Sequence, residues 1–347
     1  MKTSLRIMQG VAFAALIGFS GTALARDLTA VGFGGAVQDA FRKAYFAPYA
    51  AEKGITVLED TTNGGLAKQK AMVDAGNVTW DVMQMEDDEV TVACESGLLE
   101  DIDWKTRPNG NDIDPTLFKE CAVGALSWAN VLTYDTDKIK DGPKNWADFW
   151  NVEKWPGKRG LRKTAKLTLE VALMADGVPA ADVYKVLATK EGQDRAFAKL
   201  DELKPNIQWW ESGAQPQEWL SSGDVAMTTA YNGRVAAAQH EGKNFAIIWD
   251  GQINSWEFWA IMKGTPNLDQ AIDLVDYMMT PAPQAIFAQA IPYGVSNVKT
   301  MDELPPEALA QLPSAPENMK NSIRFDADFW IDNNEELSAR FATWVAQ

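Results

Sequence analysis

The sequence is poor in the residues that build metal sites and reactive nucleophiles. It contains one histidine, His240, and two cysteines, Cys94 and Cys121, among 347 residues. Zinc sites need three or four such ligands, so we expect no metal. No Gly-x-Ser-x-Gly pattern for an activated serine occurs. A hydrolase with two catalytic carboxylates is the remaining catalytic hypothesis, but no pattern places two acids in one cleft. We therefore predict that the protein is not an enzyme and uses no cofactor.

Positive charge and long apolar runs are also scarce. The chain has 32 lysines and arginines against 48 acids, which gives a formal net charge of −16 at pH 7. Because an acidic surface repels phosphate backbones, this balance argues against nucleic acid as a partner. A membrane-spanning helix needs about 20 apolar residues, and no segment beyond the N-terminal region is apolar for that length.

The N-terminus has the pattern of a secretory signal peptide. Two basic residues precede a largely apolar run over 7–21, and Ala23 and Ala25 supply the small residues of a cleavage site. We expect cleavage near Ala25, so that residues 1–25 are removed and the mature protein lies in the periplasm. No cysteine lies at the predicted cleavage site, so a lipid anchor there is not expected.

The two cysteines have two interpretations. An even pair of cysteines in an exported protein favours a disulfide. A bond between Cys94 and Cys121 would close a loop whose constraint on the unfolded chain is worth about 3 kcal/mol. Two free, buried thiols are the alternative.

Strand and helix patterns alternate along the chain, which predicts an α/β fold with largely parallel strands. Helical spacing follows the first strand, and Pro48 is expected to end that helix. The mature chain is long for one hydrophobic core, so we expect two lobes. The predicted strands lie at 28–32, 55–58, 80–84, 127–134, 225–230, 245–249 and 256–262, and the principal predicted helices at 37–45, 66–75, 87–96, 146–150, 167–176, 194–203, 235–239 and 268–279.

Several short motifs in order resemble a known family. Trp80-Asp81-Val82 precedes a segment Gly-Leu-Leu-Glu-Asp-Ile-Asp that begins at Gly97. Lys263-Gly264-Thr265-Pro266-Asn267 and Ile291-Pro292-Tyr293-Gly294 follow at the spacing that this family shows. Each motif is weak, but together they cover most of the mature chain. The sequence resembles the spermidine/putrescine-binding group of periplasmic solute-binding proteins of ABC importers.

The resemblance implies a type II-like periplasmic binding protein, in which two α/β lobes joined by a hinge close on a ligand. We expect an N-terminal lobe over 26–130 and 260–300 and a C-terminal lobe over 131–259 and 301–347. The chain should cross between the lobes near 128–134 and 256–262. The partners implied are a small-molecule ligand and the permease subunits of an importer, and we expect a monomer.

The resemblance also points to residues that contact the ligand. Glu257 matches a family acid that binds an ammonium group, although an acid that faces solvent is the alternative. Tyr231 matches an aromatic wall. Arg234 replaces the second acid of the polyamine binders, and it would attract a carboxylate; an ion pair at a helix start is its alternative. The ligand implied is an ω-amino acid such as γ-aminobutyrate, and a polyamine such as putrescine or spermidine is the second hypothesis.

Five further residues are weaker candidates. Gly35 could allow backbone N–H groups to approach a ligand. Trp128 suits an aromatic wall, with core packing as an equal alternative, and Trp256 lies beside the acid. Tyr293 belongs to a family motif. Asp87 could bind an amine, but an acid at a helix N-terminus is the more economical interpretation.

Overall fold

The computed structural model describes residues 26–347. The predicted signal peptide, residues 1–25, lies outside the described residues. Within them, no helix is long and apolar enough to cross a membrane, and no group of acids, histidines or cysteines could hold a metal ion.

Strands and helices alternate over most of the described chain, and the predicted α/β class is confirmed. The strands are β1 Leu28–Gly32, β2 Val57–Thr61, β3 Val82–Glu86, β4 Phe118–Lys119, β5 Ala122–Asp135, β6 Arg159–Arg162, β7 Ile207–Trp210, β8 Met227–Tyr231, β9 Phe245–Ile261, β10 Gly294–Val295 and β11 Ile323–Arg324. The α-helices are α1 Gly35–Phe41, α2 Ala47–Lys53, α3 Ala67–Asp74, α4 Asp87–Glu95, α5 Trp146–Trp150, α6 Thr168–Ala175, α7 Val183–Leu187, α8 Lys190–Leu203, α9 Gln215–Ser222, α10 Asn232–His240, α11 Leu268–Met278, α12 Pro281–Ala290, α13 Pro306–Ala310 and α14 Ala327–Ala346.

The main strands form one mixed sheet in the order β2-β1-β3-β9-β5-β8-β6-β7. Pairing is parallel at both sides, among β1, β2 and β3 and among β6, β7 and β8. In the middle, β9 runs antiparallel to β3 and β5, and β5 runs antiparallel to β8. The expectation of a largely parallel sheet therefore holds only for the two sides. We call the side with β1–β3 the first lobe and the side with β6–β8 the second lobe.

Strands β5 and β9 join the two lobes. They have 14 and 17 residues, and their mutual pairing shifts register between Asn130 and Leu132. The two strands predicted at 245–249 and 256–262 are one continuous strand, β9. Both predicted crossing segments overlap these strands, and the lobe boundaries themselves stay a prediction.

The helix that follows β1 does not end at Pro48 as predicted. A π-helical turn over Arg42–Phe46 connects α1 to α2, and the proline lies in the first turn of α2. A proline is tolerated there because the first N–H groups of a helix have no intrahelical acceptor. The helical segment ends instead at Gly54, whose φ of 65° is left-handed.

The two cysteines form the predicted disulfide. Cys94 at the end of α4 is bonded to Cys121, just before β5, with their Cα atoms 5.8 Å apart. The bond therefore ties a helix of the first lobe to the start of a strand that joins the lobes.

Candidate functional site

A small cavity lies between the two lobes at the carboxyl ends of five strands. Strands β1 and β3 from the first lobe and β6, β7 and β8 from the second lobe end at it, which is where α/β sheets place ligands. The cavity is small, with about 40 Å³ open to the centres of water molecules. Its lining consists of Phe33, Val37, Asn63, Gln84, Glu86, Trp128, Arg162, Trp210, Glu211, Gly213, Tyr231, Arg234, Glu257 and Tyr293.

Glu257 is a buried acid in the wall of this cavity. It lies on β9, is 8% exposed, and pairs in register with Glu86 of β3. Its only side-chain hydrogen bond is from the amide of Gln84, and no lysine or arginine of the described residues is within ion-pair distance. Burial and the neighbouring Glu86 raise the pKa of Glu257 to about 8. Within the described residues, this acid therefore has no cationic partner.

Arg234 is a buried cation in the same cavity. It lies in the first turn of α10 and is 7% exposed. One of its terminal nitrogens, Nη2, donates to the carbonyls of Phe33 at 3.2 Å and Gly34 at 3.0 Å in the first lobe. No carboxylate of the described part of the chain forms an ion pair with it. The guanidinium thus bridges the two lobes and retains unused donors.

A second buried arginine shows what a purely structural guanidinium looks like in this chain. Arg159 is also buried without an acid, but all three of its nitrogens donate to backbone carbonyls. These acceptors are the carbonyls of Phe149, Gly157, Asn151 and Trp155. Arg234 has only two such acceptors, both on one nitrogen, so its surroundings leave it ready for an anion.

Gly35 makes room for Arg234. It is the first residue of α1, with φ of 59°, and a Cβ atom there would lie 2.5 Å from Nη1 of Arg234. Such a distance is too short for any side chain. The glycine therefore permits the approach of an arginine from the other lobe, whereas the sequence suggested an approach of the ligand itself.

Aromatic side chains form part of the wall. Trp128 and Tyr231 meet edge to face with ring centroids 5.2 Å apart, and the ring of Trp210 also meets Tyr231 edge to face, at 5.8 Å. Phe33 and Tyr293 complete the aromatic lining. Such rings supply apolar area for methylene groups and attract cations through their faces.

Arg162 and Glu86 form an ion pair across the cavity. Arg162 ends β6 in the second lobe, and its Nη1 lies 2.7 Å from the hydroxyl of Tyr231 and 3.5 Å from Glu86 of the first lobe. Lys166 also reaches Glu86, at 3.3 Å, and Asp88, at 2.7 Å. Burial opposes the charge of Arg162, but Tyr231 and Glu86 outweigh it and raise the pKa of Arg162. Burial likewise opposes ionisation of Glu86, yet Lys166 and Arg162 lower its pKa. This acid is already satisfied by cations.

Comparison with known proteins identifies the family. The model of the family "bacterial extracellular solute-binding protein" matches residues 44–317. The chain belongs to this family. It is 49% identical over 338 residues, 97% of this chain and 95% of the other, to the gamma-aminobutyric acid-binding protein of Pseudomonas aeruginosa. It is 23% identical over 275 residues, 75% of each chain, to the spermidine/putrescine-binding periplasmic protein of Escherichia coli.

The fold of this solute-binding protein matches solved structures. The structure of the Atu4243 GABA receptor superimposes with a TM-score of 0.80 at 32% identity, covering 92% of this chain and 98% of the other. The predicted periplasmic binding protein fold is thereby confirmed. The proteins found by these comparisons bind solutes, which agrees with the prediction that the chain is not an enzyme.

The structure of this solute-binding protein brings five of the eight predicted ligand residues into the cavity wall. They are Glu257, Arg234, Tyr231, Trp128 and Tyr293. Gly35 contacts Arg234 just outside that wall.

Two predicted residues lie outside the cavity wall. Asp87 is the first residue of α4 and forms an ion pair with Lys119 at 2.6 Å. Trp256 precedes Glu257 on β9, so its side chain points to the opposite face of the sheet, where it packs half-buried against the core. Asp87 thus lies at a helix N-terminus, as its alternative interpretation had it, and Trp256 packs against the core.

Sequence reasoning missed Arg162, Gln84 and the role of Glu86. Arg162 and Glu86 are the last residues of β6 and β3, and a position at the carboxyl end of a strand is the signal that could have found them. Gln84 lies in the middle of β3. Strand β6 has only four residues, Arg159–Arg162, and carries two arginines, so no apolar strand pattern marked it.

Proposed function

We propose that this protein captures a small zwitterion, an ω-amino acid such as γ-aminobutyrate, in the periplasm and delivers it to an ABC importer. One observation carries the proposal. Among the described residues, the cavity contains one buried carboxyl group without a cationic partner, Glu257, and one buried guanidinium without a carboxylate, Arg234. An isolated buried charge is costly, and this cost keeps Glu257 protonated up to about pH 8. A ligand with an ammonium at one end and a carboxylate at the other supplies the missing partner of each group.

In this proposal each end of the ligand has its own partner. The ligand carboxylate binds the free nitrogens of Arg234, because guanidinium groups bind carboxylates through two parallel hydrogen bonds. The ligand ammonium binds Glu257. The methylene groups between them lie against Trp128 and Tyr231, whose rings face the cavity.

The charge of the second lobe argues against a polyamine. A second ammonium group of putrescine or spermidine would meet Arg234, beside Arg162, and two like charges in a buried site repel strongly. The similarity to the gamma-aminobutyric acid-binding protein at 49% identity supports the same choice.

The remaining parts of the proposal concern export and delivery. We propose that residues 1–25 are a signal peptide cleaved near Ala25, that the mature protein is a periplasmic monomer, and that its closed, liganded form docks on the permease subunits. The match to an extracellular solute-binding family supports this setting.

Calorimetry with γ-aminobutyrate, putrescine and spermidine tests the ligand assignment. We expect γ-aminobutyrate to bind most tightly. Arg234→Met should weaken its binding by about 100-fold, the range for a truncated buried charge pair. Arg195→Met is the matched control, because Arg195 forms an exposed ion pair with Asp176, and it should leave the affinity unchanged. Tight putrescine binding without any response to γ-aminobutyrate would refute the proposal.

A further inference from the structure

Gln84 lies behind the acid that we assign to the ligand ammonium. It is 2% exposed, belongs to β3, and lines the cavity. Its amide nitrogen donates to Glu257 Oε2, and its amide oxygen accepts a hydrogen bond from the backbone N–H of Phe33 at 3.2 Å. One side chain therefore connects the acid on β9 to the loop that follows β1.

The same loop receives Arg234 from the second lobe. The carbonyls of Phe33 and Gly34 accept hydrogen bonds from its Nη2. A continuous path of hydrogen bonds thus runs from Glu257 through Gln84 and the backbone of Phe33 to Arg234. The two ends of the proposed ligand site, in different lobes, share this short segment of backbone.

The carboxyl group of Glu257 depends on the amide for its charge. Burial and Glu86 raise its pKa, whereas the hydrogen bond from Gln84 and the positive charges of Arg234 and Arg162 act in the opposite direction. A donor that hydrogen-bonds a carboxylate favours the ionised form. The charged or titratable groups that face Glu257 are Glu86 on β3, Arg162 on β6, Tyr231 on β8, Arg234 on α10 and Tyr293 before β10.

We propose that Gln84 is a positioning residue that orients the Glu257 carboxylate for the ligand ammonium and couples it, through the Phe33–Gly34 backbone, to the interlobe contact of Arg234. The proposal rests on the proposed function for the identity of the ligand ends. The effect of Gln84 on the ionisation of Glu257 in the empty protein does not depend on the proposed function. Loss of the amide leaves the carboxylate without its donor and leaves the Phe33 N–H without its acceptor.

Gln84→Met tests the proposal, because the methionine side chain has nearly the same length as glutamine but has no hydrogen-bond donor and is only a weak acceptor. The titration of Glu257 is followed in the ligand-free protein by carbon NMR of ¹³C-labelled glutamate, with the signal assigned by its absence in Glu257→Gln. We expect the midpoint to rise by about one pH unit, which corresponds to one hydrogen bond to a charged group. Gln252→Met is the control, because Gln252 is buried on the same strand as Glu257 and donates to the carbonyls of Pro313 and Asn318; it should leave the midpoint unchanged.

Binding measurements then test the coupling. At pH 7, Gln84→Met should weaken γ-aminobutyrate binding by about tenfold, and the pH at which the affinity reaches its plateau should rise together with the Glu257 midpoint. A purely structural role would lower stability without moving either pH value. The losses of Gln84→Met and Arg234→Met should also be non-additive in the double variant, because both act on one loop.

The outcomes separate this proposal from the proposed function. If the wild-type protein does not bind γ-aminobutyrate, the ligand assignment fails, while the titration of Glu257 still decides the role of Gln84. An unchanged Glu257 midpoint in Gln84→Met overturns the positioning role, and strictly additive losses overturn the coupling. Gln84→Glu, which keeps the shape of the side chain but replaces the donor by an acid, is the second variant if Gln84→Met does not fold; its Glu257 midpoint should rise as well.

Discussion

Glu86 and Glu257 lie directly opposite each other in the antiparallel pairing of β3 with β9. Opposed residues of an antiparallel pair point to the same face of the sheet, so two carboxylates share one wall of the cavity. Arg162 and Lys166 form ion pairs with Glu86 and not with Glu257. As a result the pKa of Glu86 is lowered, whereas burial and Glu86 raise the pKa of Glu257 to about 8. One acid is structural, and the other is available to a ligand.

Glu257→Gln should stabilise the empty protein in a pH-dependent way. The pKa of Glu257 is about 8 in the folded protein, against an ordinary 4.5. Between these values the folded protein holds a proton that the unfolded chain has lost, so this acid lowers stability as pH rises from about 4.5 to 8. The melting temperature of the variant should match that of the wild type at pH 4 and exceed it at pH 8. Glu335→Gln, on the exposed side of α14, is the control; an equal difference at both pH values would contradict the prediction.

Gly35→Ala should weaken ligand binding by at least about tenfold, because its Cβ would displace Arg234 Nη1. Gly76→Ala is the matched control. Gly76 has a φ of 60°, close to the 59° of Gly35, and a Cβ there meets nothing within 4 Å. Both variants incur the same backbone strain of about 1 kcal/mol, so a comparable loss of stability is expected in each. Calorimetry should show the loss of affinity only in Gly35→Ala, and equal affinities in the two variants would show that the space beside Arg234 is unimportant.

Lys166→Met should favour the open arrangement of the lobes. Lys166 follows β6 in the second lobe and pairs with Glu86 and Asp88 of the first lobe, and its side chain is only 14% exposed. Removal of this cation leaves two buried acids with less compensation in the closed form, and we expect ligand affinity to fall by about tenfold.

Solution scattering should show the same change as a larger radius of gyration at a subsaturating ligand concentration. Lys163→Met is the control, because Lys163 is nearby in sequence but pairs with Glu211 in its own lobe, and its side chain is 45% exposed. A variant of Lys166 that closes as tightly as the wild type would refute the role of this contact.

Replacement of Cys94 and Cys121 by serine should lower the free energy of unfolding by about 3 kcal/mol, because the bond closes a loop of 27 residues. Chemical denaturation measures this loss. Ligand affinity should not change, since neither sulfur lines the cavity. A stability that is the same in the oxidised wild type, the reduced wild type and the double variant would contradict the prediction.

Local patterns predicted most of the fold. The helix α4 was predicted within one residue of its observed ends. The predicted bounds of α5 agree with the observed ones, and Asn145 caps this helix by accepting from the N–H of Asp148. The break predicted between 249 and 256 was wrong. Asp250-Gly251 resembles a turn, but β9 continues because the N–H of Gly251 donates to Asn321 and the strand exchanges its partners along its length. Partners of that kind are distant in sequence, so no local pattern reports them.

The sequence by itself determined the class of the protein and singled out the two charged residues on which the proposed function rests. The motifs pointed to the solute-binding family. Glu257 could be singled out because it matches an acid of that family, and Arg234 because it replaces one. Only the tertiary structure decided which charges are satisfied internally. Glu86 is paired and Glu257 is not, because sheet register and the contact between the lobes bring together residues 76 to 201 positions apart in the chain. The energy of a buried charge depends on those distant neighbours, so the partners of each charge follow only from the tertiary structure.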